Sequence, residues 1–186
     1  MTLSETDALY PQDKLEALVQ ALSAGDDVRP IDAALGDCPM DPRLHFLRGS
    51  VLAGGRRYPE AREAMARAVD LAPDYVIARF QLGFLEFTSG EAALAGATWA
   101  PLQALPVEHA LRQFAEGLMR LPADDIDGAI SRLQRGIEAN DEVPPLNRDM
   151  QLLIDELLKS RSPSPDDEPT SETQMLLRQL GTGTQH

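Results

Sequence analysis

The sequence predicts an all-α fold in which antiparallel pairs of helices stack on one another as an α-solenoid. The first observation is a repeat of 34 residues, in which each Phe is followed three residues later by a Gly. The repeated residues are Phe46, Phe80 and Phe114, with Gly49, Gly83 and Gly117. The second observation is that each unit divides by its hydrophobic periodicity into two amphipathic helices. A period near 34 residues is typical of helix-turn-helix units that stack and share a core.

Further columns of residues keep the same step. They are Ala61, Ala95 and Ala129, then the large apolar Met65, Trp99 and Leu133, then the mostly small Ala68, Leu102 and Gly136. Short side chains at fixed positions allow two helix backbones to approach closely, so the small columns mark helix–helix contacts. The agreement of several columns predicts three clear units in residues 41–141 and a degenerate unit in residues 12–40.

The second helix of a unit is recognisable from its pattern. PEAREAMARAVDLAP has its apolar side chains on one face at three-and-four spacing, and DDIDGAISRLQRGIEAN repeats this design. Pro59 suits the first turn of the former, and Asp124 or Asp125 is expected to cap the latter.

A further amphipathic helix is predicted over residues 144–159, after the last unit. Its apolar face consists of Leu146, Met150, Leu153, Ile154, Leu157 and Leu158. A stack of helix pairs needs its open end covered by a helix with a polar outer side, so this segment is expected to be a C-terminal capping helix.

Both ends of the chain differ from the repeats. Residues 1–11 are expected to be a flexible N-terminus, and residues 160–172, rich in Pro, Ser and acid, a disordered linker. Residues 173–186 are a tail whose apolar residues suit a short amphipathic helix: Met175, Leu176, Leu177 and Leu180. A helix this short is marginal in water, so the tail is expected either to fold on docking, to a partner or to this protein's own groove, or to stay frayed.

These columns resemble the tetratricopeptide repeat family. The resemblance rests on the period, the Gly and Ala columns, Ala68, Gly136 and the terminal Pro73, and it covers roughly residues 41 to 141. It implies antiparallel helix pairs in a right-handed superhelix whose concave face holds a peptide or a partner helix. It also implies a non-enzymatic interaction module, a scaffold or adaptor.

The first helix of each unit departs from the family pattern. If the Gly column takes the family's eighth position, the normally buried fourth, seventh and eleventh positions hold mostly polar residues. They are His45, Arg79 and Gln113, then Arg48, Leu82 and Glu116, then Leu52, Glu86 and Arg120. Since most of these do not suit a core, we prefer a register shifted by one residue, in which the Phe column is a buried ridge. The alternative keeps the Phe column in the groove as a ladder of aromatic pockets.

The preferred register gives the concave face a mildly apolar lining. We expect it to consist of Leu47, Val51, Gln81, Leu85, Arg112, Ala115 and Met119. Arg112 alone is a poor clamp for a carboxylate, so the expected partner is a protein or peptide held mainly through apolar contacts. The alternative is that these columns are ordinary half-buried surface.

Composition excludes several classes of function. Seventeen Lys and Arg against 30 Asp and Glu give a formal charge of -13, which disfavours binding to nucleic acid or an anionic membrane. The single cysteine, the absence of a leader-like N-terminus and the lack of a spanning apolar segment lead us to expect a cytoplasmic protein. His45, His109 and His186 are scattered, and no catalytic motif is present, so no enzyme activity, metal, cofactor or small-molecule substrate is expected.

A second functional class is a cytoplasmic secretion chaperone. Small, acidic, three-repeat members of the family that bind apolar segments of proteins awaiting type III export are similar to this chain in size, charge and repeat number. A chaperone of that kind binds an unfolded stretch of its client, whereas an adaptor binds a folded or pre-formed partner.

Overall fold

The computed structural model describes residues 9–22 and 27–161, and in these residues the protein consists of α-helices and short turns without a strand. The helices are α1 (Gln12–Leu22), α2 (Arg29–Asp37), α3 (Pro42–Gly54), α4 (Tyr58–Leu71), α5 (Val76–Thr88), α6 (Ala92–Trp99), α7 (Ala110–Leu118), α8 (Ile126–Ala139) and α9 (Pro144–Arg161). Short 3-10 helices at Ala100–Ala104 and Leu121–Ala123 follow α6 and α7. The predicted tail residues Met175, Leu176, Leu177 and Leu180 lie outside the described residues.

The helices pack in sequential pairs, as an α-solenoid requires. Helix α3 packs on α4, α5 on α6 and α7 on α8, and α4 also contacts α5 so that one pair joins the next. The glycine column lies at the closest approach within each pair. A Cβ atom added to Gly49 would stand 3.1 Å from the carbonyl oxygen of Ala61, and one added to Gly117 would stand 3.1 Å from Leu133. The predicted solenoid fold is therefore confirmed, and its small residues mark helix contacts.

Side chains that accept from the backbone define several helix starts. Asp41 caps α3 by accepting from the backbone N–H of Arg43 at 2.9 Å. At α8 the cap is Asp125, which accepts from the N–H of Gly128 at 2.9 Å, whereas Asp124 adopts a left-handed conformation with φ 58°. Each cap satisfies one of the N–H groups that have no partner inside the helix.

The buried side chains form three clusters along the solenoid. The N-terminal cluster is built on Ile31 and Leu44, and the middle one on Met65 and the small residues of α4. The C-terminal cluster centres on the aromatic rings of α5, α6 and α7 and includes Leu146, Met150 and Ile154 of α9. Helix α9 packs on α8 as predicted for a cap, but Leu158, expected on its apolar face, is 47% exposed.

A candidate partner-binding groove between α5 and α9

The repeated phenylalanines belong mainly to the core. Phe80 and Phe114 are completely buried, and their ring centroids lie 6.0 Å apart across the junction of two repeats. Phe80 also stacks on Trp99 at 5.8 Å. Phe46 is half-buried, with its ring 5.2 Å from that of Tyr75. The interpretation of this column as a packing ridge is confirmed for Phe80 and Phe114, which do not form open aromatic pockets.

Two polar residues expected to lie outside the core are inside it. Glu86 and Gln113 are each 4% exposed, although they occupy family positions that we judged too polar for burial. Their burial is compensated by hydrogen bonds to neighbouring residues of the fold, which removes most of the cost of leaving water. The Thr98 hydroxyl donates to Glu86 at 2.7 Å, and the Gln113 amide donates to the carbonyl oxygen of Val107. Leu52 and Leu82 are also buried. Residues at the normally buried positions of the unshifted family register therefore lie in the core, in addition to the phenylalanines of the shifted register.

The residues predicted to line the concave face do not form one continuous surface. Leu47 and Val51 pack against the N-terminal cluster. Leu85 is 8% exposed and belongs to the middle cluster, beside the small residues of α4. Ala115 is 2% exposed. These columns therefore contribute much of their area to contacts between neighbouring repeats.

Ala115 and Met119 line a cleft of about 470 Å³ between α6 and α7. Arg112 lies near it, but its guanidinium is paired with Glu116 at 2.8 Å and donates to the carbonyl oxygens of Gln103 and Leu105. Its donors are thus used within the fold. The charged side chains lining the cleft are Glu116 and Arg120, each of which makes an ion pair with another residue of the protein.

A wider groove of about 610 Å³ separates α5 from α9, with the end of α3 and the start of α4 at one side. It is lined by Ala53, Tyr58, Gln81, Phe84, Leu85, Thr88, Ser89, Asp149 and Leu152. Gln81 and Leu85 are the two sequence-predicted residues that the structure brings together here.

Large apolar side chains stand exposed at the edges of this groove. Leu152 of α9 is 59% exposed and Tyr58 of α4 is 50% exposed, and Phe84 of α5, which lines the same groove, is half-buried. The Phe84 ring stacks on the buried Phe80 with centroids 6.1 Å apart, so its position is fixed by the core. The groove therefore has an aromatic ring held by the core and two exposed apolar side chains that gain burial when covered.

The groove contains one ionisable carboxylate, Asp149, which has no ion-pair partner among the described residues. A carboxylate beside apolar surface favours a partner that brings a cation together with apolar side chains. Sequence reasoning missed Tyr58, Phe84 and Leu152 as site residues, because the groove depends on where α9 lies relative to α5. One signal was available: Leu152 falls outside the regular apolar face of the capping helix.

Carboxylates with clearly lowered pKa values start helices rather than line the groove. At Asp125 the hydrogen bond from the Gly128 N–H, assisted by Arg120, lowers the pKa. At Asp41 burial opposes ionisation, but the Arg43 guanidinium and the N–H groups of Tyr10 and Arg43 outweigh it and hold the pKa below its usual value. Both groups stabilise the fold in their charged form.

The described part of the chain contains no group of three or more His, Cys, Asp or Glu side chains placed to hold a metal ion. Cys38 is a buried free thiol in the N-terminal cluster, beside Ile31. None of the helices within residues 9–22 and 27–161 is long and apolar enough to cross a membrane.

Comparison with known proteins agrees with this architecture. A tetratricopeptide repeat family model matches residues 15–76 and 46–100. Among solved structures, MamA 41-end from Desulfovibrio magneticus RS-1 superposes with a TM-score of 0.56 at 15% identity, over 81% of this chain and 94% of that chain. The MamA RS-1 ArsTM double mutant gives a TM-score of 0.55 at 14% identity, over 82% and 95%. At these identities the likeness shows the fold alone. A search of curated proteins finds no match.

The stacked helix pairs and the groove define an α-solenoid of the kind that serves as an interaction scaffold. The match over residues 15–100 confirms the resemblance to tetratricopeptide repeats, and proteins with such repeats bind protein partners. Members of this family are typically non-enzymatic interaction modules.

Proposed function

We propose that the protein is an adaptor that binds a segment of a partner protein in the groove between α5 and α9. The observation that carries the proposal is the pair of exposed apolar side chains, Leu152 and Tyr58, beside the half-buried ring of Phe84. Covering a large apolar side chain contributes about 1.5–3 kcal/mol, so a few such anchors suffice for a specific complex.

The bound segment is either an extended peptide or an amphipathic helix with apolar anchors. A basic residue next to those anchors complements Asp149, and the formal charge of -13 attracts a basic partner in general. Since binding by apolar contact and one charge involves no bond making or breaking, the proposed function has no catalytic step. Gln81 and Leu85 are the sequence-predicted groove residues that contribute to it.

Replacing one exposed groove residue tests this proposal. Leu152→Glu places a charge where the partner's apolar side chain would be buried, and we expect partner affinity to fall by about 30-fold or more. The matched control is Leu94→Glu, because Leu94 lies on α6 and is 40% exposed. Partner capture from a lysate, followed by a titration with the purified partner, measures the effect. Both variants are expected to keep wild-type helicity and melting temperature.

The outcomes separate the alternatives. Loss of binding in Leu152→Glu with retention in Leu94→Glu supports groove binding, whereas equal binding by both variants overturns it. The state of the captured protein then decides the class. A partner that is folded on its own supports an adaptor, and one that stays unfolded and insoluble without this protein supports a secretion chaperone.

A further inference from the structure

We propose that the chain's own C-terminal segment, residues 173–180, occupies the groove between α5 and α9 and competes with the partner. This inference rests on the proposed function, since it assigns a regulatory occupant to the same groove. The segment reads TQMLLRQL and lies outside the described residues.

The end of the described chain lies within reach of the groove. Helix α9 supplies Asp149 and Leu152 to the groove wall and ends at Arg161. Arg161 lies nine residues after Leu152 in the helix, a distance of ~14 Å along the axis. Residues 162–172 then connect α9 to the segment, and eleven residues span up to ~36 Å when extended. A chain of this length has a typical end-to-end distance of ~18 Å, which matches the path back to the groove.

The chemistry of the segment fits the groove. The spacing of Leu176, Leu177 and Leu180 would place them on one face in a helical conformation, which would give a short apolar stripe for the surface formed by Phe84 and Leu152. Arg178 is the only charged residue of residues 173–180, so the segment is a small cation in a strongly acidic chain. Asp149 supplies a matching carboxylate in the groove.

Because the segment is covalently tethered to the groove, it can occupy the groove even if its intrinsic affinity is low. A tether of this length gives an effective concentration on the order of 1 mM at the groove. A segment with an intrinsic dissociation constant of about 0.1 mM therefore fills the groove about nine-tenths of the time. A competing partner then binds about tenfold more weakly than it would to an open groove.

A labelled peptide of residues 171–181 tests the inference on the full-length protein. Its fluorescence anisotropy is measured against wild type and against Leu177→Asp, in which the segment loses an apolar anchor. We expect the peptide to bind about tenfold more tightly to Leu177→Asp, because the groove of that variant is open. In a Leu177→Asp background, adding Leu152→Glu is expected to abolish peptide binding, and adding Leu94→Glu is expected to preserve it.

Three results would overturn the inference. They are equal affinities for wild type and Leu177→Asp, no peptide binding to either, and peptide binding that Leu152→Glu leaves unchanged. The wild-type measurement is repeated at tenfold lower protein concentration. If the labelled peptide then binds more tightly, the groove is filled by the segment of a second copy and not by that of the same chain. If the peptide experiment overturns this inference, the proposed partner binding still stands as long as Leu152→Glu loses partner capture. The two proposals can therefore be rejected independently.

Discussion

At the scale of single residues, the repeat is fixed by contacts between a glycine and the large side chain of the paired helix. Trp99 lies against the backbone of α5 at Gly83, and its indole N–H donates to the carbonyl oxygen of Phe80 at 3.0 Å. The indole is held on three sides, because its ring also stacks near Phe80 and Phe87. A side chain at position 83 would occupy the space that the indole fills.

Gly83→Ala is therefore expected to destabilise the protein. The added Cβ would stand 2.7 Å from Cδ1 of Trp99, which is too close unless the indole moves and loses its hydrogen bond. Overpacking of this kind costs about 1–3 kcal/mol, and we expect a loss of that size in the free energy of unfolding, measured with urea.

The matched control is Gly36→Ala in α2, where an added Cβ meets no atom within 4 Å. Alanine favours a helix over glycine by about 0.5–1 kcal/mol, so this variant is expected to be as stable as wild type or slightly more stable. If Gly83→Ala also left the free energy of unfolding unchanged, close helix packing would not be the reason for the repeated glycines.

Buried polar residues show where residue-level reasoning from the sequence failed. The periodic pattern of apolar side chains predicted the helices, and the phenylalanine ridge predicted the core correctly at Phe80 and Phe114. The polarity of Glu86 predicted a place outside the core, and this is wrong because Thr98, on another helix and twelve residues away, donates to its carboxylate. A sequence shows the polarity of a side chain but not the donor that satisfies it, and that donor decides the cost of burial.

At the scale of helices, Asp41 links the first turn of α3 to the chain that precedes α1. Its carboxylate is completely buried, pairs with Arg43 at 2.6 Å and accepts from the N–H of Tyr10 at 2.8 Å. Arg43 in turn donates to the carbonyl oxygen of Tyr10 at 2.6 Å. No residue of α1 is fully buried, so these bonds add to the packing of Leu15, Leu18 and Leu22 on the N-terminal cluster in holding α1 to the solenoid.

The charge of Asp41 is expected to make stability depend on pH. Its pKa in the folded protein is held below the unfolded value of about 3.9, so the ionised form stabilises the fold above that pH. This contribution is lost as pH falls through the lower folded pKa. Asp41→Asn is expected to be about 1–3 kcal/mol less stable at pH 7, with the difference narrowing below pH ~4.

Urea unfolding of wild type and Asp41→Asn between pH 7 and pH 3 measures this difference. The matched control is Asp70→Asn, which changes an exposed carboxylate on α4. A gap between wild type and Asp41→Asn that stays constant over this range would mean that the titration of the carboxylate does not contribute, and that the loss comes only from replacing an acceptor oxygen by an amide group.

The position of α9 shows how far helix-level prediction extends. The amphipathic pattern predicted this helix and its packing role, and Leu146, Met150 and Ile154 are buried as expected. The pattern did not predict that Asp149 and Leu152 on the flank of α9 would line a groove with α5. The groove depends on how the capping helix lies relative to the stacked helix pairs. The period of the repeat contains no information about this orientation. The residues of the candidate groove were therefore predicted only in part, at Gln81 and Leu85.

At the scale of the whole molecule, stability is expected to vary along the solenoid. The C-terminal cluster contains the buried rings of Phe80, Trp99 and Phe114 and three buried residues of α9, whereas the N-terminal cluster is built on four buried side chains. In a stack where each pair contacts mainly its neighbours, an end with a smaller core opens more easily. The groove between α5 and α9 is lined by no residue of α1 or α2.

Ile31→Ala tests this gradient. Ile31 is completely buried in the N-terminal cluster, and its truncation leaves a cavity that costs about 2–5 kcal/mol locally. Hydrogen exchange is expected to accelerate in α1, α2 and α3 while the amides of α7, α8 and α9 keep wild-type rates, because the cavity weakens only the neighbouring cluster. Leu133→Ala is the matched variant in the C-terminal cluster and should produce the opposite distribution. Equal acceleration in every helix by either variant would show that the solenoid unfolds as one cooperative unit.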